Sequence, residues 1–406
     1  MLGWWNGYSK LPCGPRTTGA YSRIGSIDMQ RASGRVLIFL PNAIGDVLVA
    51  LPMLEALSSA GWQCDVIIDE QAAGLSGLYA RWVSKERVLP LRRWRHASPL
   101  HDLVSRARLT VSVCRDHYDA LICMSGVGSL SAWLALVAKI PIRITEKRRE
   151  SAPLKRLFRR LIFSHMQDLG SDCNNTRRAH VAAQHLTLLQ PLGINAALDG
   201  RRIVRHRSPR GLEASVRRKA VIVIAPEASE RGRCLSQKEI ILIVEDLMAT
   251  GQDFDIRLAG LPGGVAEQAA IKLHIGAYIG LPLNGLVDAI CDADCVIAVD
   301  SGPGHIAAAC NVPLVSIFGP GNPVTFRPIG DPAATALISK GLPCQPCLKN
   351  GCNGSGTAAC LEDIPTGNVV LAVLGFLNRA EEFSAGMGGG MKECGAGSQK
   401  LSGKSS

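Results

Sequence analysis

The chain is patterned as short continuous apolar runs followed by segments whose apolar residues recur at helical spacing. Arg35-Val-Leu-Ile-Phe-Leu40 opens the pattern, and Ile44, Val47, Leu48, Leu51 and Leu54 follow at intervals of three and four. A run of this length, apolar at every position after Arg35, is that of a strand buried on both faces, and the spacing after it is that of an amphipathic helix. Pro52 falls inside that helix and should kink or divide it. Cys64–Ile68 and Ala120–Met124 read as further strands of the same half. The pattern restarts at Ala220-Val-Ile-Val-Ile-Ala225 and continues through Asp255–Gly260 and Cys295–Val299 to a strand after Pro313. Strands alternating with helices predict an α/β fold with parallel sheets. Between the halves lies the arginine-rich stretch Asp199 to Arg218. The boundaries read as an N-terminal domain over 35–207 and a C-terminal domain over 208–383. The glycine- and serine-rich tail 384–406 reads as disordered, and 1–34 as a disordered N-terminal extension.

The chemistry gathers in two strand-to-helix turns. In the second half, Asp300 stands at the carboxyl end of a strand, and Ser301-Gly-Pro-Gly-His305 leads into a helix. Gly302 suits the N-cap, Pro303 the first helical position, and Asn311 the helix end. Such a turn presents free N–H groups and the positive end of a helix dipole, which favour a phosphate. An acid beside it can hold sugar hydroxyls. In the first half the loop Pro41-Asn-Ala-Ile-Gly-Asp46 offers one glycine and one acid and lacks GxGxxG, so the usual dinucleotide fingerprint is missing. Asp46 is either a helix-capping acid or a catalytic base.

These two segments together resemble glycosyltransferase family 9, the bacterial heptosyltransferases. The N-terminal pattern, Gly-Asp followed by five residues and a Pro, stands at Gly45, Asp46 and Pro52. The C-terminal Asp-Ser-Gly-Pro-x-His pattern stands whole at Asp300 to His305, before Val-Pro-Leu-Val-Ser-Ile-Phe-Gly-Pro320. Tyr118-Asp-Ala-Leu-Ile122 and the segment Arg178 to Ile194, with His180, are weaker echoes. The resemblance implies the GT-B architecture, two doubly wound Rossmann-like domains facing across a cleft. It implies an inverting transfer of heptose or a related sugar from a nucleoside-diphosphate sugar, ADP-heptose above all, to a lipopolysaccharide-core or other glycan acceptor. Asp46 would be the general base. Asp300, Ser301, Gly302, Pro303, His305 and Arg233 would bind the donor, with Arg233 at the position of a phosphate-binding lysine and Arg231 as its competitor. Glu227 stands where the family has glycine. No cofactor is implied for catalysis. A GT-B epimerase, or a nucleotide-sugar-binding protein without activity, is the alternative.

Charge refines the picture. The chain carries 45 basic and 34 acidic residues, a formal net charge of +11. The excess concentrates in Arg92, Arg93, Arg95, Arg106 and Arg108 and in Arg143 to Arg160, which includes Arg148, Arg149, Arg156 and Arg159. Such clusters are either solvated faces or sites for an anionic partner. No nucleic-acid-binding motif accompanies them, so the expected partner is an anionic lipid-linked glycan, with Arg148, Arg149, Arg156 and Arg159 on the acceptor side. The N-terminus lacks the apolar stretch of a secretory signal. The expected location is therefore cytoplasmic, peripheral to the inner face of the inner membrane. Fourteen cysteines in a chain read this way are expected to be reduced. Four of them, Cys344, Cys347, Cys352 and Cys360, lie in a glycine-rich loop over 344–360. They are either a structural zinc or iron site or a set of reduced thiols. The resemblance adds that related enzymes hold iron with such a loop.

Overall fold

The computed structural model describes residues 33–40, 43–90, 103–124, 129–147, 153–167, 179–198 and 219–388. Twelve strands form two parallel six-stranded sheets among these residues. The first sheet holds β1 (Arg35–Phe39), β2 (Gln63–Asp69), β3 (Lys85–Leu89), β4 (Ala120–Cys123), β5 (Ile142–Glu146) and β6 (His165–Gln167) in the order β3-β2-β1-β4-β5-β6. The second holds β7 (Ala220–Ala225), β8 (Phe254–Gly260), β9 (Gly276–Ile279), β10 (Cys295–Val299), β11 (Leu314–Phe318) and β12 (Thr335–Ser339) in the order β12-β11-β10-β7-β8-β9. Counted from its own first strand, each sheet has the same doubly wound order. The strand sequence therefore reverses direction between β1 and β4 in one half and between β7 and β10 in the other. At such a switch point the neighbouring connections leave on opposite faces and open a crevice at the carboxyl ends of the strands.

Alternation along β1 builds two core layers. Val36 and Ile38 point to one face, where helices α1 (Ile44–Leu48) and α2 (Leu51–Ser59) bury Val47, Leu51, Leu54 and Leu57. Leu37 and Phe39 point to the other. There α3 (Leu103–Asp116), α4 (Ser129–Val137) and α5 (Pro153–Ile162) pack Leu109, Val113, Leu134 and Ala135 against them. Pro52 divides the first helix as expected, since α1 ends at Leu48 and α2 restarts with the proline in its first turn. Helix α6 (Val181–Thr187) closes the first half against α2. In the second half α7 (Gln237–Met248), α8 (Val265–Leu273), α9 (Leu283–Cys291), α10 (Gly302–Ala309) and α11 (Thr366–Gly388) cover the sheet.

Helix α11 runs on to Gly388, so the stretch expected to be disordered from Ser384 begins as the end of a helix. Its apolar residues Val369, Val370, Val373 and Phe376 bury against the second sheet, which is what anchors it. The expected boundary between 207 and 208, and residues 1–32 of the expected extension 1–34, lie outside the described residues.

A buried polar knot fixes the amino ends of the first sheet's strands. Asp65, fully buried on β2, accepts from Arg35 at 2.8 Å and from the Tyr118 hydroxyl at 2.6 Å, with Arg87 at 3.5 Å. The Tyr118-Asp119 pair is thus structural, because Asp119 also accepts from the Arg35 backbone N–H. The knot lies at the end of the sheet away from the crevice.

Candidate active site

Both chemistry-bearing turns sit at the two switch points. Asp46 lies on α1, directly after β1, and Asp300 follows β10. Arg233, in the short turn Arg231–Arg233, follows β7, the strand beside β10. The turn after β10 differs from expectation by one residue, with Ser301 as N-cap and Gly302 first in the helix. Ser301 is in extended conformation, and its hydroxyl donates back to the Val299 carbonyl at 3.2 Å instead of capping the helix. The N-terminus of α10 therefore has no side-chain cap, and its first turn presents the N–H groups of Gly302 and Gly304. Asn311, in the left-handed conformation, and Pro313 end the unit as expected.

Two close approaches bring the halves together at this point. A β-carbon on Gly45 would stand 3.0 Å from Cδ2 of His305, and Ile44 packs onto Gly302 in the same way. Helix α1 is therefore laid against α10, which brings Asp46 within the electrostatic reach of Arg233. Behind Asp300, a β-carbon on Gly321 would lie 2.3 Å from its Oδ2, so only glycine lets the backbone pass there.

Electrostatics make Arg233 the centre of the cluster. Its Nη1 lies 3.6 Å from Oδ2 of Asp300, its Nε 3.6 Å from Glu230, and its Nη2 donates to Ser229 at 3.2 Å. Asp300 is buried, which raises its carboxyl above the usual carboxylate range, while Arg233 opposes the rise. Asp46 keeps a face open to water but is walled by protein on its other sides. That loss of solvent raises its carboxyl too, again against the pull of Arg233. One guanidinium therefore tunes two carboxylates from opposite halves of the molecule. Burial, with the charges of His180 and Arg233, pushes the His305 imidazole down to about 4, so it is neutral at physiological pH.

The sequence profile of glycosyltransferase family 9 (heptosyltransferase) matches residues 106–357, more than half of the chain. The chain belongs to glycosyltransferase family 9. It is 27% identical over 325 residues to lipopolysaccharide heptosyltransferase 1 of Pseudomonas aeruginosa, covering 78% of this chain and 87% of that protein. Among solved structures it is similar to the E. coli ADP-heptose lps heptosyltransferase II, with a TM-score of 0.63, 17% identity, and coverage of 86% of this chain and 99% of that one. A family 9 glycosyl transferase from Veillonella parvula gives a TM-score of 0.64 at 16% identity, over 86% of this chain and 99% of that one. The fold is GT-B, and the protein is a glycosyltransferase.

Within this family 9 member, Glu227, which departs from the family pattern, and Arg231, the competitor of Arg233, acquire a physical reading. Glu227 turns away from the cluster and accepts the backbone N–H groups of Leu261 and Ala266, both at 2.9 Å, at the start of α8. Arg231 is exposed and lies by the cysteine loop near Gly356, so Arg233 is the arginine that meets Asp300. Sequence reasoning missed the role of His180. Its Nδ1 accepts the Ala182 N–H at 3.1 Å as the cap of α6, so Nε2 carries the proton and donates to the Arg327 carbonyl at 2.8 Å. That bond ties α6 of the first half to the loop after β11 of the second. The only hint in the sequence was a histidine just before an apolar helix.

The basic residues assigned to the acceptor divide. Arg148 and Arg149 lie outside the described residues, and for Arg156 only its place on α5 is described. Arg159 is contrary to expectation for a surface contact. It is buried, and its Nη2 donates to the Glu146 carbonyl at 2.6 Å, closing the end of β5. A carbonyl that ends a strand under a helix needs a donor, and the long arginine stem supplies one from within the fold.

In the cysteine loop, Cys344 and Cys352 are exposed, Cys347 half-buried and Cys360 buried. The other three thiols lie near enough to reinforce the effect of burial on Cys360, which is pushed up to about 11. Among the described residues no group of three or more His, Cys, Asp or Glu side chains is arranged to hold a metal ion. The loop is docked instead by Asn350, whose side-chain oxygen accepts the Gly232 N–H at 2.8 Å, next to Arg233.

Proposed function

We propose that this glycosyltransferase moves a heptose from ADP-heptose to a lipopolysaccharide-core acceptor, with inversion at the anomeric carbon. The observation that carries the reading is the convergence of Asp46, Arg233 and Asp300 at the two switch points. The donor lies on the second half, its diphosphate at the uncapped start of α10 (Ser301 to His305) and beside Arg233. Asp300 holds hydroxyls of the sugar. As the bond to the diphosphate breaks, negative charge grows on the leaving oxygen. Arg233 and the N–H groups of α10 are fixed where that charge appears, so they favour the transition state over the ground state. Asp46 takes the proton from the acceptor hydroxyl as it attacks from the opposite face of the sugar. Its raised carboxyl makes it a stronger base than an ordinary aspartate. The acceptor is lipid-linked, so the enzyme works in the cytoplasm, peripheral to the inner membrane. The cysteine loop is read as a structural element beside Arg233, able to take zinc or iron if its thiols draw together.

Calorimetry on Asp300→Ala tests the donor side. Loss of hydrogen bonds between a carboxylate and the sugar should weaken ADP-heptose binding by about 10–100-fold. Binding of ADP alone should stay the same or tighten, because Arg233 loses a competing anion. Equal affinity of the wild type and the variant for ADP-heptose would remove Asp300 from the sugar site.

A further inference from the structure

Helix α5 is amphipathic in the opposite sense from a helix that covers a sheet. Its sequence, Pro-Leu-Lys-Arg-Leu-Phe-Arg-Arg-Leu-Ile, places Leu154, Leu157, Phe158 and Leu161 on one stripe. Such a stripe ordinarily faces the core. Here Leu157, Phe158 and Leu161 are 54%, 61% and 66% exposed, while Arg159 is turned inward at 6%. The outward stripe is not isolated. Helix α4 packs between α3 and α5 on the same face of the first sheet, and it exposes Trp133, Leu136 and Val137. Helix α3 exposes Leu103, Val104 and Val111, and these line a groove of about 710 Å³ together with Arg108 and Arg115. Of the 19 large apolar residues exposed among the described residues, these three neighbouring helices carry nine, a concentration rather than the usual scatter.

The charge on the same helices selects the occupant. Apart from the inward Arg159, they carry Arg106, Arg108, Arg115, Lys155, Arg156 and Arg160 against one acid, Asp116, which is paired with Lys85 and Arg87. A second copy of the chain would set this cationic surface against itself in a two-fold contact. An anionic bilayer meets both demands, with headgroups for the arginines and acyl boundary for the leucine, phenylalanine and tryptophan side chains. We propose that the outer face of α3, α4 and α5 is a membrane-docking surface that inserts shallowly into bilayers rich in anionic phospholipid. The proposal deepens the lipid-linked acceptor reading and rests on it for its purpose. Its geometry stands on the patch alone.

The test uses the full chain and vesicles of phosphatidylglycerol mixed with phosphatidylcholine, against vesicles of phosphatidylcholine only. Wild-type protein should sediment with the anionic vesicles, release at high salt, and shift its tryptophan emission to the blue. In Trp133→Phe much of that shift should vanish. The double variant Phe158→Glu/Leu161→Glu changes only exposed positions and should bind anionic vesicles at least about tenfold more weakly, with ADP-heptose affinity unchanged. Vesicle binding that is equal in wild type and double variant overturns the surface. So does self-association of the wild type that the double variant abolishes, without vesicle binding. A protein that transfers heptose yet ignores vesicles refutes this surface and leaves the function standing. One that binds vesicles yet transfers nothing does the reverse.

Discussion

Replacing Asp46 with Asn is expected to lower turnover by roughly 10²–10⁴-fold, the usual consequence of losing a positioned general base, with ADP-heptose affinity nearly unchanged. The substitution keeps the shape of a side chain that sits in the first turn of α1, within the electrostatic reach of Arg233. It removes the proton affinity alone. A second consequence separates base from cap. Because burial raises the Asp46 carboxyl in the folded protein, the native state binds a proton more tightly than the unfolded chain does. The ionised group therefore costs stability, increasingly as pH rises from the unfolded-state value through the raised folded one. Asp46→Asn should melt no lower than wild type at neutral pH, whereas loss of a helix-capping acid would lower the melting temperature. Near-normal turnover in the Asn variant would refute the assignment.

Arg233→Gln is expected to disable the site from its centre. It removes the one arginine among the described residues that lies against Asp300 and pulls on Asp46, and donor affinity should fall by about 10²-fold from lost charge-assisted bonds to the diphosphate. The more telling readout is the pH profile of kcat/KM. With Asp46 as the proposed base, activity should rise with pH as that carboxyl loses its proton, and the acid limb should report it in the free enzyme. Arg233 holds the Asp46 and Asp300 carboxyls lower than burial alone would leave them. Without it, both move up, and the acid limb should shift to higher pH. Arg233→Lys should restore much of the limb position and less of the donor affinity, since a point charge replaces a bidentate fork. An acid limb that stays in place in Arg233→Gln would mean that Asp46 is not the titrating base.

Much of the arrangement was legible in the sequence because it is written in local patterns. Continuous apolar runs marked β1, β7 and β10 to within a residue of their observed ends, and Pro52 marked the break between α1 and α2. Asp46 and Asp300 could be picked out because each follows such a run, whereas Arg233 came only from the resemblance, at the position of a phosphate-binding lysine. What the local pattern could not carry was contact across the two halves. The packing of His305 on Gly45 and the hydrogen bond from His180 to the Arg327 carbonyl join residues far apart in the chain. Charge runs misled for a related reason. Arg159 and its neighbours look alike in sequence, but only the fold decides which arginine meets the end of β5 and which meets water. The outward apolar stripe of α5 was likewise invisible, since amphipathic spacing gives a helix two faces without saying which is inside.

The central claim is heptosyl transfer from ADP-heptose to an anionic glycan acceptor, and intact-mass analysis of the acceptor tests it most directly. Purified protein would be incubated with ADP-heptose and lipopolysaccharide truncated before its heptose residues, with Asp46→Asn as the control. The account predicts that the acceptor gains a heptose, that ADP appears in equal amount, that the new linkage has the inverted anomeric configuration, and that the control yields almost none. An acceptor of unchanged mass, or ADP released without any gain on the acceptor, would contradict it.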